Sequence, residues 1–275
     1  MWELVPEETR APVTAEHIRQ AKERLITERA VHLDSLGERL KDPAVKRVVE
    51  VVLTGKTDTT IGRADRDVEL CMDLGLIIWD DGLRIANPIY QEIIPRLLSQ
   101  NMQDNISGLE FPWLKSDGTL DMPLLLKKFQ AFWRRHSETW EQQAEYVEAF
   151  PHLLVMAFLQ RITNGGGRIE REYAAGRGRV DLAIEYGGAW SIIEIKLVHP
   201  QDGREGTIAE GLEQVARYRD RLKKSEGVAG FPETYLLVFD RRPETRARPW
   251  EERLTWETRP DPLGADRPPI TVVGA

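Results

Sequence analysis

Three charged residues in the carboxy-terminal half of the sequence have the types and the spacing of a hydrolytic metal site. Glu194 and Lys196 stand two positions apart inside the apolar, β-branched run of residues 191–198, and Asp181 precedes Glu194 by a twelve-residue gap. The period of two in a strand directs Glu194 and Lys196 to the same face of a sheet. Burying an unpaired carboxylate or ammonium is unfavourable, so each charge needs a partner. A divalent cation beside Asp181 and Glu194 supplies one partner, and Lys196 can then hold or activate an attacking water.

The same pattern also has a purely structural interpretation. Glu194 and Lys196 can form the polar face of a half-exposed strand, or make a cross-strand salt bridge with Asp181. Charged residues that alternate with apolar ones are common in strands, so the hairpin alone favours this interpretation. The sequence around the hairpin favours the metal site over this structural interpretation.

The elements that must position these residues follow from turn signals and hydrophobic periodicity. Tyr186-Gly187-Gly188 predicts a turn, which makes the flanking strands an antiparallel hairpin. Asn164-Gly165-Gly166-Gly167 predicts a firm helix stop. In chain order the predicted elements are a helix over residues 124–163 broken near Pro151, strands over residues 168–173, 179–185 and 189–198, a helix over residues 207–222 and a strand over residues 234–240.

These residues resemble a known family. The segment Gly178-Arg179-Val180-Asp181, the gap, and Glu194-Ile195-Lys196 are similar to the signature of the PD-(D/E)XK nuclease superfamily, in which a hairpin carries D…(D/E)-X-K. Gln214 and Tyr218, spaced i, i+4 on one helix face, resemble the Gln-X-X-X-Tyr pair that many of these nucleases carry. The resemblance covers roughly residues 140–240. It implies an α/β fold with a restriction-endonuclease-like α-β-β-β-α-β core.

The resemblance implies Mg²⁺- or Mn²⁺-dependent hydrolysis of a nucleic-acid phosphodiester, with DNA as the expected substrate. Asp181 and Glu194 are the expected metal ligands, joined by the Ile195 carbonyl. A third acidic ligand often comes from the helix before the first strand, where Glu148 is the best match and Glu145 the second. The alternative for Glu148 is an exposed helical acid.

The remaining site residues have supporting roles in this interpretation. Lys196 is expected to position water, with Gln214 and Tyr218 supporting the site. Arg177 and Arg179 can meet the phosphate backbone in bidentate fashion, although a solvated turn explains them equally well.

The amino-terminal half has the element order of a winged helix. Helices over residues 45–53 and 64–74 precede two short strands joined by the hairpin turn Asp80-Asp81-Gly82. Residues 43–98 resemble the winged-helix segment that follows the ATPase core in a group of prokaryotic AAA-type ATPases. The core itself is absent, so the chain resembles the carboxy-terminal part of such a protein, by truncation or as a separate gene. This resemblance implies an ATPase partner or a missing ATPase domain.

The second helix of this motif is acidic. It presents Arg63 and Arg66 against four acids, which disfavours sequence-specific reading of DNA and favours protein packing. The four acids are Asp65, Asp67, Glu69 and Asp73.

Composition sets the broad class. With 275 residues, of which 41% are hydrophobic, the chain can hold two domains, predicted as residues 1–100 and 101–275. The net charge is -7, but residues 151–275 contain nineteen Lys plus Arg and nineteen Asp plus Glu, so the acidic excess lies in the first 150 residues. The single cysteine, Cys71, excludes an internal disulfide and favours a cytoplasmic location. The absence of a long apolar run or targeting segment predicts no membrane partner.

Two other functions fit the sequence. The first is a non-catalytic interaction or DNA-binding module, the remnant of an AAA-type ATPase with an inactive nuclease fold. The complete set of Asp, Glu and Lys favours the enzyme over this alternative. The second is a winged-helix transcription regulator, which the acidic second helix disfavours. Double-strand cutters often need two active sites, so the nuclease interpretation is compatible with a homodimer.

Overall fold

The computed structural model describes most of the chain from residue 31 onward and a few residues before it. The described residues are 13–14, 17, 21, 24, 31–54, 61–80, 82–106, 113–143, 146–147, 149–164, 168–171, 182–225, 228 and 230–275. The helical spacing of Ile18, Ala21, Leu25 and Ile26 predicts an amphipathic helix over residues 14–31, capped by Thr14, and most of it lies outside the described residues.

The amino-terminal part consists of helices followed by a hairpin. Helices α1 (Val31–Arg39), α2 (Pro43–Thr54) and α3 (Arg66–Asp73) precede strands β1 (Ile77–Trp79) and β2 (Leu83–Ile85). The two strands pair antiparallel across the predicted turn. The predicted order of helix, helix and hairpin is therefore confirmed, and its identity as a winged helix stays a prediction.

Local chemistry sets both ends of α3. The Asp65 carboxylate accepts hydrogen bonds from the backbone N–H groups of Asp67 (2.9 Å) and Val68 (3.4 Å), which satisfies donors at the helix start. After the helix, Gly75 has a φ of 68°, a conformation that glycine adopts without steric cost. The Arg47 guanidinium of α2 binds Asp65 at 2.5 Å and Asp67 at 2.8 Å, so this ion-paired cap also ties α2 to α3.

Cys71 lies on the buried face of α3 and should be chemically inert. Burial, followed by the nearby Asp67 carboxylate, raises the pKa of its thiol to about 12. Because the thiolate is the reactive form, we expect an aromatic disulfide reagent at about pH 8 to leave Cys71 unmodified in the folded protein. The same reagent should modify it fully in urea. Equal modification rates in the two states would contradict the burial of this side chain.

Three longer helices follow. They are α4 (Pro88–Ile106), α5 (Met122–Gln143) and α6 (Phe150–Asn164). The density of Asn, Gly, Ser, Asp and Pro over residues 101–123 predicts a linker or irregular crossing there. This prediction is wrong at its start, because α4 continues to Ile106 through a segment that contains neither glycine nor proline. The predicted break near Pro151 is confirmed. Pro151 lies in the first turn of α6, where a missing N–H breaks no helical hydrogen bond.

In the described part of the chain, six strands form one mixed sheet in the order β3-β4-β5-β6-β8-β7. Strands β3 (Arg168–Arg171), β4 (Leu182–Tyr186) and β5 (Ala189–Val198) are successive antiparallel neighbours. Helix α7 (Arg204–Ser225) then returns the chain to β6 (Glu233–Asp240), which pairs parallel with β5. The protein is thus of the mixed α/β class. From α6 to β6 its elements follow the predicted order of helix, three strands, helix and strand.

The sheet extends beyond the predicted elements. Two short helices, α8 (Pro243–Arg246) and α9 (Trp250–Arg253), lead to β7 (Trp256–Arg259) and then to β8 (Ile270–Gly274). Strand β8 lies between β6 and β7, parallel to the former and antiparallel to the latter.

Apolar clusters cover both faces of the sheet. Ile193 of β5 belongs to one cluster with Phe129 of α5 and Phe158 of α6. The next residue toward the chain start, Ile192, belongs to the other cluster with Val215 of α7. This alternation is the period of two expected for a strand between two helical layers.

The first cluster continues into the amino-terminal part of the chain. It includes Val48 of α2, and the Tyr146 hydroxyl donates a 2.6 Å hydrogen bond to the Leu40 carbonyl. The predicted boundary at residue 100 falls inside α4, which packs against α6. The predicted parts therefore share one core, and the division into two domains stays a prediction. Among the described residues, no helix is both long and apolar enough to cross a bilayer.

Candidate functional site

Glu194 and Lys196 project from β5 toward α7. The Glu194 side chain is only 2% exposed and that of Lys196 is 18% exposed. The Lys196 Nζ lies 3.5 Å from the Glu194 Oε1, so the ammonium partly offsets the buried carboxylate. Such compensation is needed because an isolated charge is strongly disfavoured in a protein interior. The structure thus brings together two of the three residues of the predicted motif.

Gln214, the glutamine predicted to support the site, lies on α7 beside Lys196. The Lys196 Nζ donates a 2.8 Å hydrogen bond to the Gln214 Oε1. A second contact joins Lys196 to the Glu210 carboxylate at 3.5 Å. The Glu210 side chain is 74% exposed, so solvent weakens its attraction to the ammonium. Gln214 is therefore the stronger of the two helical partners of Lys196.

Glu210 is a site residue that the sequence prediction missed. It precedes Gln214 by four residues, as Gln214 precedes Tyr218, so all three share one face of α7. That spacing is visible in the sequence, and it could have identified Glu210 once the face of Gln214 was assigned to the site.

Tyr218 lies one helical turn beyond Gln214 and belongs to the apolar cluster between α7 and the sheet. Its ring is buried, and the guanidinium carbon of Arg221 lies 5.4 Å from the ring centroid. Its predicted role in supporting Lys196 stays a prediction.

Gly211 allows α7 to approach the site closely. A methyl group added there would lie 2.7 Å from the Leu236 Cδ1 and 3.0 Å from the Lys196 Cγ. Both distances are shorter than ordinary carbon contacts. The absence of a side chain at Gly211 therefore lets the helix bring Gln214 within hydrogen-bonding distance of Lys196.

We expect Gly211→Ala to lower the free energy of unfolding by about 1–2 kcal/mol, because the cost of overpacking exceeds the helix-propensity gain of alanine. Gly206→Ala in the same helix is the matched control, since a methyl group there meets no described atom within 4 Å. That control should raise stability by up to about 1 kcal/mol. Urea denaturation of both variants checks the pair. A stabilised Gly211→Ala variant would mean that the helix can move away from the sheet easily.

Several predicted site residues lie outside the described residues. These are Asp181, Glu148, Arg177 and Arg179, together with the second-choice acid Glu145. The residue after Asp181, Leu182, pairs with Ile193, the residue before Glu194. The described end of β4 thus lies beside the buried carboxylate.

Ile195, the predicted carbonyl ligand, lies in β5 between Glu194 and Lys196 and pairs with Leu237 of β6. Its side chain packs in the cluster on the opposite face of the sheet. Within the described residues, no three His, Cys, Asp or Glu side chains are grouped as metal ligands. Because Asp181 and Glu148 are outside those residues, the predicted ligand set stays a prediction.

The donor chemistry near Glu194 fits a hard divalent cation. Mg²⁺ and Mn²⁺ prefer carboxylate and carbonyl oxygens, which Glu194 and the neighbouring Ile195 backbone provide. Lys196 cannot serve as a ligand while protonated, since an ammonium group only donates. This division of chemistry allows one face of β5 to combine a metal-binding oxygen with a hydrogen-bond donor.

Comparisons with protein-family models, with curated proteins and with solved structures find no match for this chain. The resemblance to PD-(D/E)XK nucleases therefore rests on the residues of the chain.

Proposed function

We propose that the carboxy-terminal part of the chain is a metal-dependent nuclease of the PD-(D/E)XK type, with a restriction-endonuclease-like core. The observation that carries the proposal is the buried Glu194 carboxylate beside the Lys196 ammonium, which Gln214 contacts from the following helix. The run of elements from α6 to β6 supports it. The proposed reaction is hydrolysis of a nucleic-acid phosphodiester, with DNA as the expected substrate.

The metal would be held by carboxylate and carbonyl oxygens. Asp181, Glu194 and the Ile195 carbonyl are the proposed ligands, with Glu148 as a further acid. When bound, Mg²⁺ or Mn²⁺ supplies Lewis-acid polarisation of the phosphate and stabilises developing negative charge.

Lys196 would act on the water and on the phosphate oxygens. Its ammonium carries three donors, one of which Gln214 accepts, and this contact fixes the direction of the side chain. A donor held in this way can orient a water for attack without reorganising during the reaction. Gln214 is accordingly a positioning residue, while Lys196 contacts the reacting atoms.

Cleavage of DNA tests the proposal. Purified protein should cut linear, circular or single-stranded DNA in Mg²⁺ or Mn²⁺, and Asp181→Ala should abolish the cutting because it removes a proposed metal ligand. Asp266→Ala is the matched control, because it removes an exposed aspartate of the β7–β8 connection. Cleavage that persists at the wild-type rate in Asp181→Ala would refute the assigned site.

Metal binding separates the nuclease from its main alternative. Mg²⁺ or Mn²⁺ should raise the melting temperature of the wild-type protein. At a metal concentration a hundredfold above the dissociation constant, binding adds about 2.7 kcal/mol to the free energy of unfolding. Asp181→Asn should remove this shift, and Asp266→Asn should retain it. Absence of both cleavage and a thermal shift would favour the non-catalytic interaction module.

The amino-terminal part of the chain is proposed to bind another protein. Helix α3 exposes the acids Glu69 and Asp73 beside the cation Arg66. Arg47 of α2 is ion-paired with Asp65 and Asp67 at the start of the helix, so this cation is already engaged within the protein. The exposed apolar side chains of Leu70 and Ile78 also favour contact with protein over contact with DNA. An ATPase is the proposed partner, on the resemblance of residues 43–98.

A further inference from the structure

The two flanks of helix α7 differ in what covers them. On one flank, Arg219 is buried in an ion pair with Asp261 of the connection between β7 and β8. This connection therefore packs along that side of the helix. The other flank carries Gln214, which accepts the hydrogen bond from Lys196. The flank that faces the candidate site is thus the one that the β7–β8 connection leaves open.

Two arginines share this flank with Gln214. An α-helix turns by about 100° per residue, so Arg217 and Arg221 lie within about 60° of Gln214 around the axis, while Arg219 lies about 140° from it. Both Arg217 and Arg221 are exposed. Arg221 stands two turns beyond Gln214, about 10.5 Å along the helix. Gln214, Arg217 and Arg221 define the open flank of α7, a row of polar side chains that begins at the contact with Lys196.

Both guanidinium groups of the open flank are accessible to an anionic ligand. The guanidinium carbon of Arg221 lies 5.4 Å from the centroid of the Tyr218 ring, and no acid among the described residues lies within ion-pair distance of it. Arg217 pairs with Glu213, but the two side chains are 62% and 52% exposed. An exposed pair of this kind contributes little free energy, so a phosphate can take the place of Glu213.

The charges along this flank favour an anion. Lys196, Arg217 and Arg221 are its cations, and Glu210 and Glu213 are its acids among the described residues. Both acids are more than half exposed, so water screens their charge. A guanidinium group presents two parallel N–H donors that match two phosphate oxygens, which an exposed lysine does not.

We propose that Arg217 and Arg221 bind backbone phosphates of the same nucleic-acid strand whose scissile phosphate lies at Lys196. The proposal rests on the proposed nuclease function and adds a substrate-binding surface to it. Each strand of a duplex carries one phosphate per about 3.4 Å of axis, so the row from Gln214 to Arg221 spans about three nucleotides. The next exposed cation of the helix, Lys224, lies about 15 Å from Gln214 and beyond this surface.

Fluorescence anisotropy in EDTA measures binding without cleavage, with a short labelled single strand and its duplex as probes. The wild-type protein should bind at least one of them. Arg217→Gln and Arg221→Gln should each weaken binding by about threefold to tenfold. Each should also lower the slope of log affinity against log salt by about 0.7–0.9, the value for one phosphate contact. Arg221→Lys keeps the charge and should retain the wild-type slope.

Two variants serve as controls. Arg135 is exposed on α5, which covers the opposite face of the sheet, so Arg135→Gln should change the affinity by less than about twofold. Lys224→Gln should have an equally small effect, because Lys224 lies beyond the row. Absence of binding by the wild type would overturn the proposal. Weakening by either control to the same extent as Arg221→Gln would also overturn it.

Cleavage kinetics separate this proposal from the nuclease proposal. In Mg²⁺, Arg221→Gln should raise KM by about threefold to tenfold and leave kcat within about twofold, because the lost contact is made before and during the reaction alike. Cleavage with an unchanged KM in this variant would overturn the binding surface and keep the nuclease. Binding that depends on Arg221, without any cleavage by the wild type, would keep the surface and refute the nuclease.

Discussion

Replacing Arg219 with alanine is expected to lower the free energy of unfolding by about 3–5 kcal/mol. Arg219 of α7 is fully buried and ion-paired with Asp261, which is also buried. The Asp261 carboxylate accepts a further 2.7 Å hydrogen bond from the Leu263 backbone N–H. Removal of the guanidinium would leave a desolvated carboxylate without its main counter-charge. That loss is a large part of the roughly 5–15 kcal/mol that stabilises a typical domain.

Arg217→Ala is the matched control for this prediction. Arg217 lies on the same helix and pairs with Glu213 at 2.5 Å, but more than half of each side chain is exposed. Its loss should change stability by no more than about 0.5 kcal/mol. Urea denaturation with a fixed m-value measures both variants. Similar effects of the two substitutions would show that the buried pair contributes no more than a surface pair.

Lys196→Ala is expected to reduce metal-dependent DNA cleavage by about 10²–10⁴-fold, provided that the proposed function holds. The substitution removes the donor that is proposed to orient the water and leaves Glu194, a proposed metal ligand, in place. Metal should therefore still raise the melting temperature of the variant. Initial rates of cleavage, measured at saturating Mg²⁺, give the comparison.

Lys224→Ala is the matched control, because it also removes one lysine charge but at a position away from the site. Lys224 belongs to α7, the helix that carries Gln214. Lys224 is exposed at the end of α7, so its removal should leave the cleavage rate within about twofold of the wild type. Full cleavage activity of the Lys196→Ala variant would contradict the proposed mechanism. Loss of both activity and fold would instead assign Lys196 a structural role, which the melting temperature without metal would reveal.

Local sequence patterns were sufficient to predict the centre of the sheet. The alternation along residues 191–198 placed Glu194 and Lys196 on one face, and the paired glycines after Tyr186 predicted the β4–β5 hairpin. The i, i+4 spacing of Gln214 and Tyr218 on the helix is likewise a local property. The contact of Gln214 with Lys196 depends on how the helix crosses the sheet, and that crossing is set by Gly211 and Leu236.

Features that depend on distant pairing could not be predicted in this way. Strand β8 is inserted between β6 and β7, which no local pattern specifies. The proline-rich stretch at residues 260–269 directly before it is typical of a loop and gives no sign of the strand that follows. The Arg219–Asp261 pair joins a helix to a connection forty-two residues later.

The position of β8 makes the solubility of this protein sensitive to a few residues. Strand β6 is buried along nearly its whole length and pairs on one side with β5 and on the other with β8. Loss of residues 270–274 would expose an apolar edge with unpaired backbone donors and acceptors. Such an edge is a template for intermolecular strand addition, so truncation there would favour aggregation over simple loss of a strand.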